Sequence, residues 1–254
     1  MTCGIIGFGH VGQAIYNRFP DAVIFDEPKG VGSREKINQC DVAFVCVPTP
    51  SREDGSCDTT IVEAVLAWVH CNVVIIRSTV PVGFTKEMSQ KYNLDLVFQP
   101  EYYGETVAHP FANLEDQTWI SLGGQKEAVK LAACFYQERV NSNVKFYFSD
   151  SDTAELAKYM ENAFLATKVT FCNEMYDLAT KLGLDYNVAR EIWLADPRIG
   201  RSHTFVYPNQ RGFGGSCLPK DTSALVCIGE NVGTDMTLMK SVLKKNELLK
   251  QEKI

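Results

Sequence analysis

Cys3-Gly4-Ile5-Ile6-Gly7-Phe8-Gly9-His10-Val11-Gly12 opens the chain with an apolar run, a glycine-rich turn and the first residues of a helical pattern that extends to Phe19. A G-x-G-x-x-G sequence between a strand and a helix is typical of dinucleotide-binding folds. Gly7 is expected to form the tight turn, Gly9 to admit a pyrophosphate to the backbone and Gly12 to allow close helix–strand packing. Amides at the helix N-terminus offer hydrogen-bond donors to phosphates.

The residue that ends the second predicted strand is Asp26. A carboxylate here can accept hydrogen bonds from both ribose hydroxyls and repels a 2′-phosphate, so the pattern favours NAD over NADP. Asp26 follows Gly12 by only 14 residues, which predicts a short first crossover helix. The stretch from Asp26 to Val47 is also too short for a complete βαβ crossover of about 30 residues. We therefore expect a simplified sheet in this region.

Strand and helix patterns change near residue 150. Before it, β-rich runs alternate with helical patterns, which is typical of a parallel sheet covered on both faces. After it, apolar residues recur mainly at helical spacing. The strands are predicted at 3–7, 22–26, 42–47, 73–77, 95–98, 120–123 and 144–148, and the later helices at 151–182, 187–193, 222–228 and 234–251. We predict an α/β chain: a Rossmann-like parallel sheet domain over 1–150, then a smaller all-helical domain over 151–254.

Composition excludes several classes of protein. The net charge is −6 with 45% hydrophobic and 22% charged residues, which disfavours a nucleic-acid-binding protein. No apolar run approaches the roughly 18 residues of a membrane span, and the N-terminus lacks the basic region of a signal peptide. Nine cysteines without a Cys-x-x-Cys pair indicate a reducing cytoplasm, and four histidines without ligand spacing predict no metal site.

A second glycine-rich segment, Gly212-Phe213-Gly214-Gly215-Ser216-Cys217-Leu218-Pro219-Lys220-Asp221, places a cysteine just ahead of a proline suited to a helix start. A thiol at a helix N-terminus beside a lysine is favoured as the thiolate, so Cys217 is a candidate nucleophile. Asp221 lies one helical turn further on the same face. Lys158 and Asn162 have the same i, i+4 spacing on a predicted helix and could stabilise one developing oxyanion together.

Together with five other blocks, this segment resembles the UDP-glucose/GDP-mannose dehydrogenase family. The other blocks are Val47-Pro48-Thr49-Pro50 with Asp54-Gly55 and Asp58; Ser78-Thr79-Val80-Pro81-Val82-Gly83; Pro100-Glu101-Tyr102 with Glu105; Glu155, Lys158, Asn162 and Ala166 with Asn173-Glu174; and Asp196-Pro197-Arg198-Ile199-Gly200. These blocks span almost the whole chain. Members of the family usually carry a third, C-terminal nucleotide-binding domain, which we expect this chain to lack.

The resemblance implies an NAD-dependent nucleotide-sugar 6-dehydrogenase of the UDP-glucose to UDP-glucuronate type. Two hydride transfers would proceed through a cysteine thiohemiacetal and a thioester. Glu101 would act in thioester hydrolysis, Asp221 would order water and Lys158, and Thr79 would position water or the nicotinamide. The implied catalytic residues are Cys217, Lys158, Asn162, Asp221, Glu101 and Thr79.

Binding residues are also carried over from the resemblance. Those implied for the cofactor are Gly7, Phe8, Gly9, His10, Val11, Gly12, Asp26, Lys29, Val47, Pro48, Thr49, Thr79 and Glu105. Those implied for the nucleotide sugar are Tyr102, Lys158, Asn162, Arg198, Gly212, Phe213, Gly214 and Gly215. The backbone amides of 212–215 could form an anion nest for the diphosphate. The family forms its dimer through the central helical domain, and Arg198 would reach the partner's site.

Two other functions remain open. One is an NAD-dependent β-hydroxyacid-type dehydrogenase acting on a smaller substrate. It shares a Rossmann domain, a helical domain and a catalytic lysine, but it has no need of the cysteine segment. The other is a non-catalytic NAD-binding or partner-binding homologue, in which Cys217 would react no faster than an ordinary free thiol.

Overall fold

A seven-stranded sheet forms the first part of the molecule in the computed structural model, which describes residues 1–102 and 118–251. The sheet order is β2-β1-β3-β4-β5-β6-β7. The strands are β1 (Cys3–Ile6), β2 (Val23–Phe25), β3 (Val42–Val45), β4 (Val73–Ile76), β5 (Leu96–Phe98), β6 (Trp119–Gly124) and β7 (Lys145–Ser149). All neighbouring pairs are parallel except β5 and β6, which are antiparallel. The α/β prediction is confirmed, with this one reversed pair, because apolar periodicity is the same for either strand direction.

Helices connect the strands and then continue alone. The short ones near the sheet are α1 (His10–Arg18), α2 (Arg34–Ile37), α3 (Thr60–Leu66), α4 (Phe84–Tyr92) and α5 (Lys126–Gln137). They are followed by α6 (Ser151–Lys181), α7 (Tyr186–Trp193), α8 (Cys217–Asn231) and α9 (Thr237–Gln251). As expected from the short spacings after Gly12 and Asp26, α1 has nine residues and α2 only four. Of the described helices, none is both long and apolar enough to cross a membrane.

Two hydrophobic clusters cover the two faces of the sheet. Ile5 of β1 packs in the first cluster and its neighbour Ile6 in the second, because successive side chains of a strand point to opposite faces. In β4, Ile75 and Ile76 divide between the clusters in the same way. Burial on both faces explains why these strands read as continuous apolar runs rather than as alternating ones.

The chain divides into two compact units, the first comprising Met1–Arg52 and Cys57–Lys158 and the second comprising Glu53–Ser56 and Tyr159–Ile254. The division falls inside α6, which begins at Ser151. A small cluster in the second unit contains the buried residues Ala166, Phe213 and Val242. It packs the glycine-rich segment ahead of α8 against helices α6 and α9.

Candidate active site

The first glycine turn has the geometry that a pyrophosphate cradle requires. Gly7 adopts a φ of +89°, which L side chains rarely tolerate. A Cβ on Gly12 would lie 2.1 Å from the Gly7 carbonyl oxygen, whereas a Cβ on Gly9 would meet nothing within 4 Å. Glycine is thus required at position 12 for close packing against the Gly7 backbone. At Gly9 the space on the side where a Cβ would lie is empty. His10 then begins α1 with Gly9 as its N-cap, so the predicted Gly7, Phe8, Gly9, His10, Val11 and Gly12 form one turn and helix start.

The Asp26 carboxylate, only 8% exposed, anchors this turn. Its Oδ2 accepts from the Phe8 N–H at 2.7 Å and its Oδ1 from the Lys29 N–H at 3.0 Å. The Lys29 ammonium donates to the Phe8 carbonyl at 2.5 Å. The structure therefore brings together three of the residues predicted to bind the cofactor, Phe8, Asp26 and Lys29. A carboxylate has about four acceptor positions, so Asp26 retains positions for ribose hydroxyls, and the whole turn fits a dinucleotide.

Turns after β3 and β4 lie side by side. The Ser78 hydroxyl donates to the Val47 carbonyl at 2.6 Å. Thr49 is buried, Pro48 is exposed and Thr79 is half-buried. Both turns follow the carboxyl ends of parallel strands, where ligands bind in open α/β sheets.

A charged cluster surrounds Glu101, which follows β5. The Arg77 guanidinium bonds the Glu101 carboxylate at 2.5 Å, with the two side chains 2% and 12% exposed. The Lys158 ammonium donates to the Glu101 backbone carbonyl and lies 5.0 Å from the centre of the Tyr102 ring. Three residues predicted for the site thus meet here. Arg77 was not among the predicted site residues, although an arginine directly after the apolar run Val73–Ile76 indicates a charge at the end of a buried strand.

One turn before Lys158, Glu155 is fully buried. Its two carboxylate oxygens accept from the Gly83 and Thr85 N–H groups at 2.6 and 2.9 Å. These groups lie at the start of α4, just after the turn that contains Thr79. Burial is the main cause that raises the pKa of Glu155 to about 7, and the Thr85 and Gly83 hydrogen bonds oppose it.

The raised pKa of Glu155 predicts a pH-dependent stability. Below pH 4.5 the group is protonated in both folded and unfolded chains; between pH 4.5 and about 7 only the folded chain keeps the proton. Its contribution to stability is therefore lost as the pH rises through that window. We expect the wild type to lose up to about 3 kcal/mol relative to Glu155→Gln between pH 4 and 8, at about 1.4 kcal/mol for each pH unit by which the pKa is raised. Urea denaturation of both proteins at both pH values measures their free energies of unfolding. The same free-energy difference between the two proteins at pH 4 and at pH 8 would contradict the prediction.

Helix α8 begins at Cys217, five residues before the predicted start. Pro219 is its third residue, where the missing N–H costs no intrahelical hydrogen bond. All nine cysteines lie in the described part of the chain, and Cys217 alone among them is exposed. Burial, by contrast, raises the pKa of the Cys46 thiol to about 12. Position and accessibility both distinguish Cys217 from the other cysteines.

Asp221, one turn after Cys217, is 1% exposed. It accepts from the Asn162 amide at 2.5 Å and from the Lys220 ammonium at 2.7 Å. We expected Lys158 and Asn162 to face one oxygen and Asp221 to order Lys158. In the structure the Lys158 ammonium donates to the Glu101 carbonyl, and the Asn162 amide donates to Asp221.

Backbone amides at the start of the second glycine loop are already hydrogen-bonded. The Phe213 N–H donates to Asn246 Oδ1 at 2.7 Å and the Gly212 N–H to Asn173 Oδ1 at 3.3 Å. The Phe213 ring is also buried. This corrects the expectation of an anion nest made by all four residues, because the amides of Gly212 and Phe213 serve the protein. Gly214 and Gly215 are exposed, and a Cβ on either would meet nothing within 4 Å.

Two further predicted residues are less informative. The Arg198 side chain is 86% exposed and pairs with Asp196 at 2.5 Å, which holds the pKa of Asp196 below its usual value. Glu105 lies outside the described residues. Over the ranges 1–102 and 118–251, no group of three or more His, Cys, Asp or Glu side chains could hold a metal ion.

Comparison with known proteins identifies two domains of one family along the chain. Residues 31–138 match the NAD binding domain of the UDP-glucose/GDP-mannose dehydrogenase family, and residues 152–248 match its central domain. A UDP-glucose 6-dehydrogenase of Rickettsia typhi is 35% identical over 82% of this chain and 49% of that protein. One of Bacillus subtilis is 34% identical over 83% and 49%. The chain thus spans about half the length of the curated relatives it matches.

A solved UDP-glucose dehydrogenase from Pyrobaculum islandicum superposes with a TM-score of 0.81 at 27% identity, covering 97% of this chain and 68% of that one. The two matched domains occur in the family order, and the glycine turn with Asp26 fits the cofactor that the first of them binds, NAD. The resemblance in the sequence blocks is therefore confirmed, and the chain belongs to the UDP-glucose/GDP-mannose dehydrogenase family.

Proposed function

We propose that the protein is an NAD-dependent nucleotide-sugar 6-dehydrogenase that oxidises the primary alcohol of UDP-glucose to a carboxylate. The observation that carries this proposal is Cys217, the one exposed cysteine, at the start of α8 after a glycine loop. A dehydrogenase that stops at the aldehyde or ketone has no need of a nucleophile. A four-electron oxidation to an acid gains from one, because a covalent adduct divides a difficult reaction into easier steps.

The proposed chemistry balances in four steps. Oxidation of the alcohol gives an aldehyde, and the Cys217 sulfur adds to its carbonyl carbon to form a thiohemiacetal. Oxidation of that adduct leaves a thioester, and water releases the acid and regenerates the thiol. NAD, when bound, accepts the hydride in each oxidation, so one acid requires two NAD and one water. A free thiol nucleophile needs reducing surroundings, so we place the protein in the cytoplasm.

The other side chains take roles that suit their surroundings. Glu101, held by Arg77, is proposed to activate water for thioester hydrolysis. Lys158 and Asn162 are proposed to stabilise the oxyanion, because an ammonium has three N–H donors and a side-chain amide has two, so each can donate to an oxyanion in addition to its acceptor in the structure. Asp221 orients Asn162 through their hydrogen bond. Thr79 is proposed to position water or the nicotinamide, and the Gly214 and Gly215 amides to bind the diphosphate.

The experiment is to incubate the purified protein with NAD and UDP-glucose and to measure NADH absorbance and acid product together. We expect two NADH for each acid. A ratio of one NADH with an aldehyde or ketone product would support the two-electron alternative. Calorimetric NAD binding without turnover on any of a panel of nucleotide sugars would overturn the proposal.

We also propose that the protein forms a homodimer through its helical domain. Met160, Phe164, Phe171 and Leu178 of α6 are 46 to 64% exposed. Steps of four, seven and seven residues place them on one face of the helix. A contiguous apolar stripe is typical of a protein–protein interface. Sedimentation should give about twice the monomer mass of 28.3 kDa, and Phe164→Glu with Phe171→Glu should give the monomer. A monomeric wild type would contradict this.

A further inference from the structure

The backbone of Phe213 is held by a buried asparagine of α9. Asn246 is 1% exposed; its Oδ1 accepts from the Phe213 N–H at 2.7 Å, and its Nδ2 donates to the Phe213 carbonyl at 3.0 Å. One amide side chain therefore satisfies both backbone groups of one residue, as a neighbouring strand would. Buried backbone groups need such partners, because an unmade hydrogen bond there costs more than a made one contributes.

The fit around this contact is tight. Gly212 adopts a φ of +74°, and a Cβ there would lie 2.4 Å from Asn246 Oδ1. The Phe213 ring packs in the small cluster with Ala166 and Val242, and Val242 lies one turn before Asn246 on α9. The loop can thus approach α9 only with glycine at 212 and the Phe213 side chain inserted.

A second asparagine holds the chain just before this point. Asn173 of α6 is 2% exposed; its Oδ1 accepts from the Gly212 N–H at 3.3 Å and from Arg211 Nε at 2.7 Å. Arg211 also pairs with Asp177 at 2.5 Å. The backbone is therefore fixed at 211–213 by two helices.

Only three residues, Gly214 to Ser216, separate this fixed point from Cys217, the first residue of α8. All three are exposed. Two of them are glycines, which have little conformational preference of their own. The path of this short arc therefore depends on where its two ends are held, and the Phe213 end is held by Asn246.

We propose that Asn246 is a positioning residue for the reaction: by holding Phe213 it fixes the arc Gly214–Ser216 and the Cys217 thiol at its end. Asn173 supports it at Gly212. This inference rests on the proposed function, in which Cys217 attacks the aldehyde. Neither asparagine touches the reacting atoms. A displacement of a reacting group by about 1 Å can cost about 10²-fold in rate, so a loosened arc should lower kcat.

The test compares Asn246→Leu, which keeps the side-chain size and removes both hydrogen bonds, with the wild type. Asn173→Leu is a milder second variant that removes the acceptor of the Gly212 N–H and of Arg211 Nε, while both hydrogen bonds between Asn246 and Phe213 remain. Tyr186→Phe is the matched control, because it removes a buried hydroxyl that donates to the Thr204 carbonyl at 2.9 Å and also interacts with the Cys172 thiol, elsewhere in the same unit. For each variant we would measure kcat, the KM for NAD, the melting temperature and hydrogen exchange of the Phe213 amide.

We expect Asn246→Leu to lower kcat about 10²-fold and Asn173→Leu to lower it less, with the KM for NAD within twofold of the wild type. Hydrogen exchange of the Phe213 amide should accelerate by more than the loss of overall stability, measured by the melting temperature, would cause. Tyr186→Phe should change the melting temperature only. A wild-type kcat in folded Asn246→Leu would overturn the inference. If the wild type oxidises no nucleotide sugar, the proposed function fails instead, and unchanged Phe213 exchange in Asn246→Leu would still refute the positioning role.

Discussion

Cys217→Ala is expected to lower acid formation by at least about 10³-fold, the scale on which removal of a covalent nucleophile acts. Without the thiol neither the thiohemiacetal nor the thioester forms, so the second oxidation would depend on the hydrated aldehyde. NAD binding should be unchanged, because the substitution leaves the glycine turn and its hydrogen bonds to Asp26 intact. NADH absorbance, acid product and calorimetric NAD affinity, measured on the same preparation, check this expectation.

Cys227→Ala is the matched control for this experiment. Cys227 lies ten residues further along α8 and is only partly exposed, so its loss should change the rate less than twofold. If Cys217→Ala kept the wild-type rate of acid formation while remaining folded, the covalent route would be wrong. Because acid would still form, the second oxidation would then have to act on the hydrated aldehyde without a thioester.

Glu101→Gln should show the second-largest effect, at a different step. We expect acid release to slow by about 10² to 10⁴-fold, the usual contribution of a general base. Both oxidations precede hydrolysis, so a burst of two NADH per chain should still occur and the thioester should accumulate on Cys217. Glutamine has the size of glutamate, and its carbonyl can still accept from Arg77. Rapid-mixing absorbance measures the burst, and mass spectrometry of the quenched protein detects the adduct.

Glu63→Gln provides a carboxylate control in the same unit. Glu63 pairs with Lys91 at 3.1 Å, and both side chains are at least one-third exposed, so this pair contributes little to stability or rate. The outcome that would remove Glu101 from the hydrolytic step is loss of the NADH burst together with acid release. That result would assign the Glu101 carboxylate to an earlier step.

Local sequence patterns predicted the fold well, with an identifiable limit. Apolar runs such as Val73–Ile76 and the helical spacing after Ser151 depend on near neighbours in the chain, so they predicted elements within a few residues of their true bounds. Strand direction does not appear in such a pattern, and the antiparallel pairing of β5 with β6 was missed. The apolar spacing placed the start of α8 at 222, five residues after its true start at Cys217, because the first turn of the helix carries few apolar residues, although Pro219 suits a helix start.

For the candidate site, the sequence by itself determined the candidate residues: the glycine turn with Asp26, and Cys217 in its glycine-rich segment. Tertiary structure alone decided which distant groups hydrogen-bond to the candidate residues and to the segment that leads to Cys217. The partner of Glu101 is 24 residues away in the chain, at Arg77, and Phe213 is held from 33 residues away by Asn246. Such partners follow from burial, because a desolvated polar group must find a donor or acceptor wherever the fold brings one within reach. Such partners do not recur at a fixed spacing in the sequence, so they can be identified only from the tertiary structure.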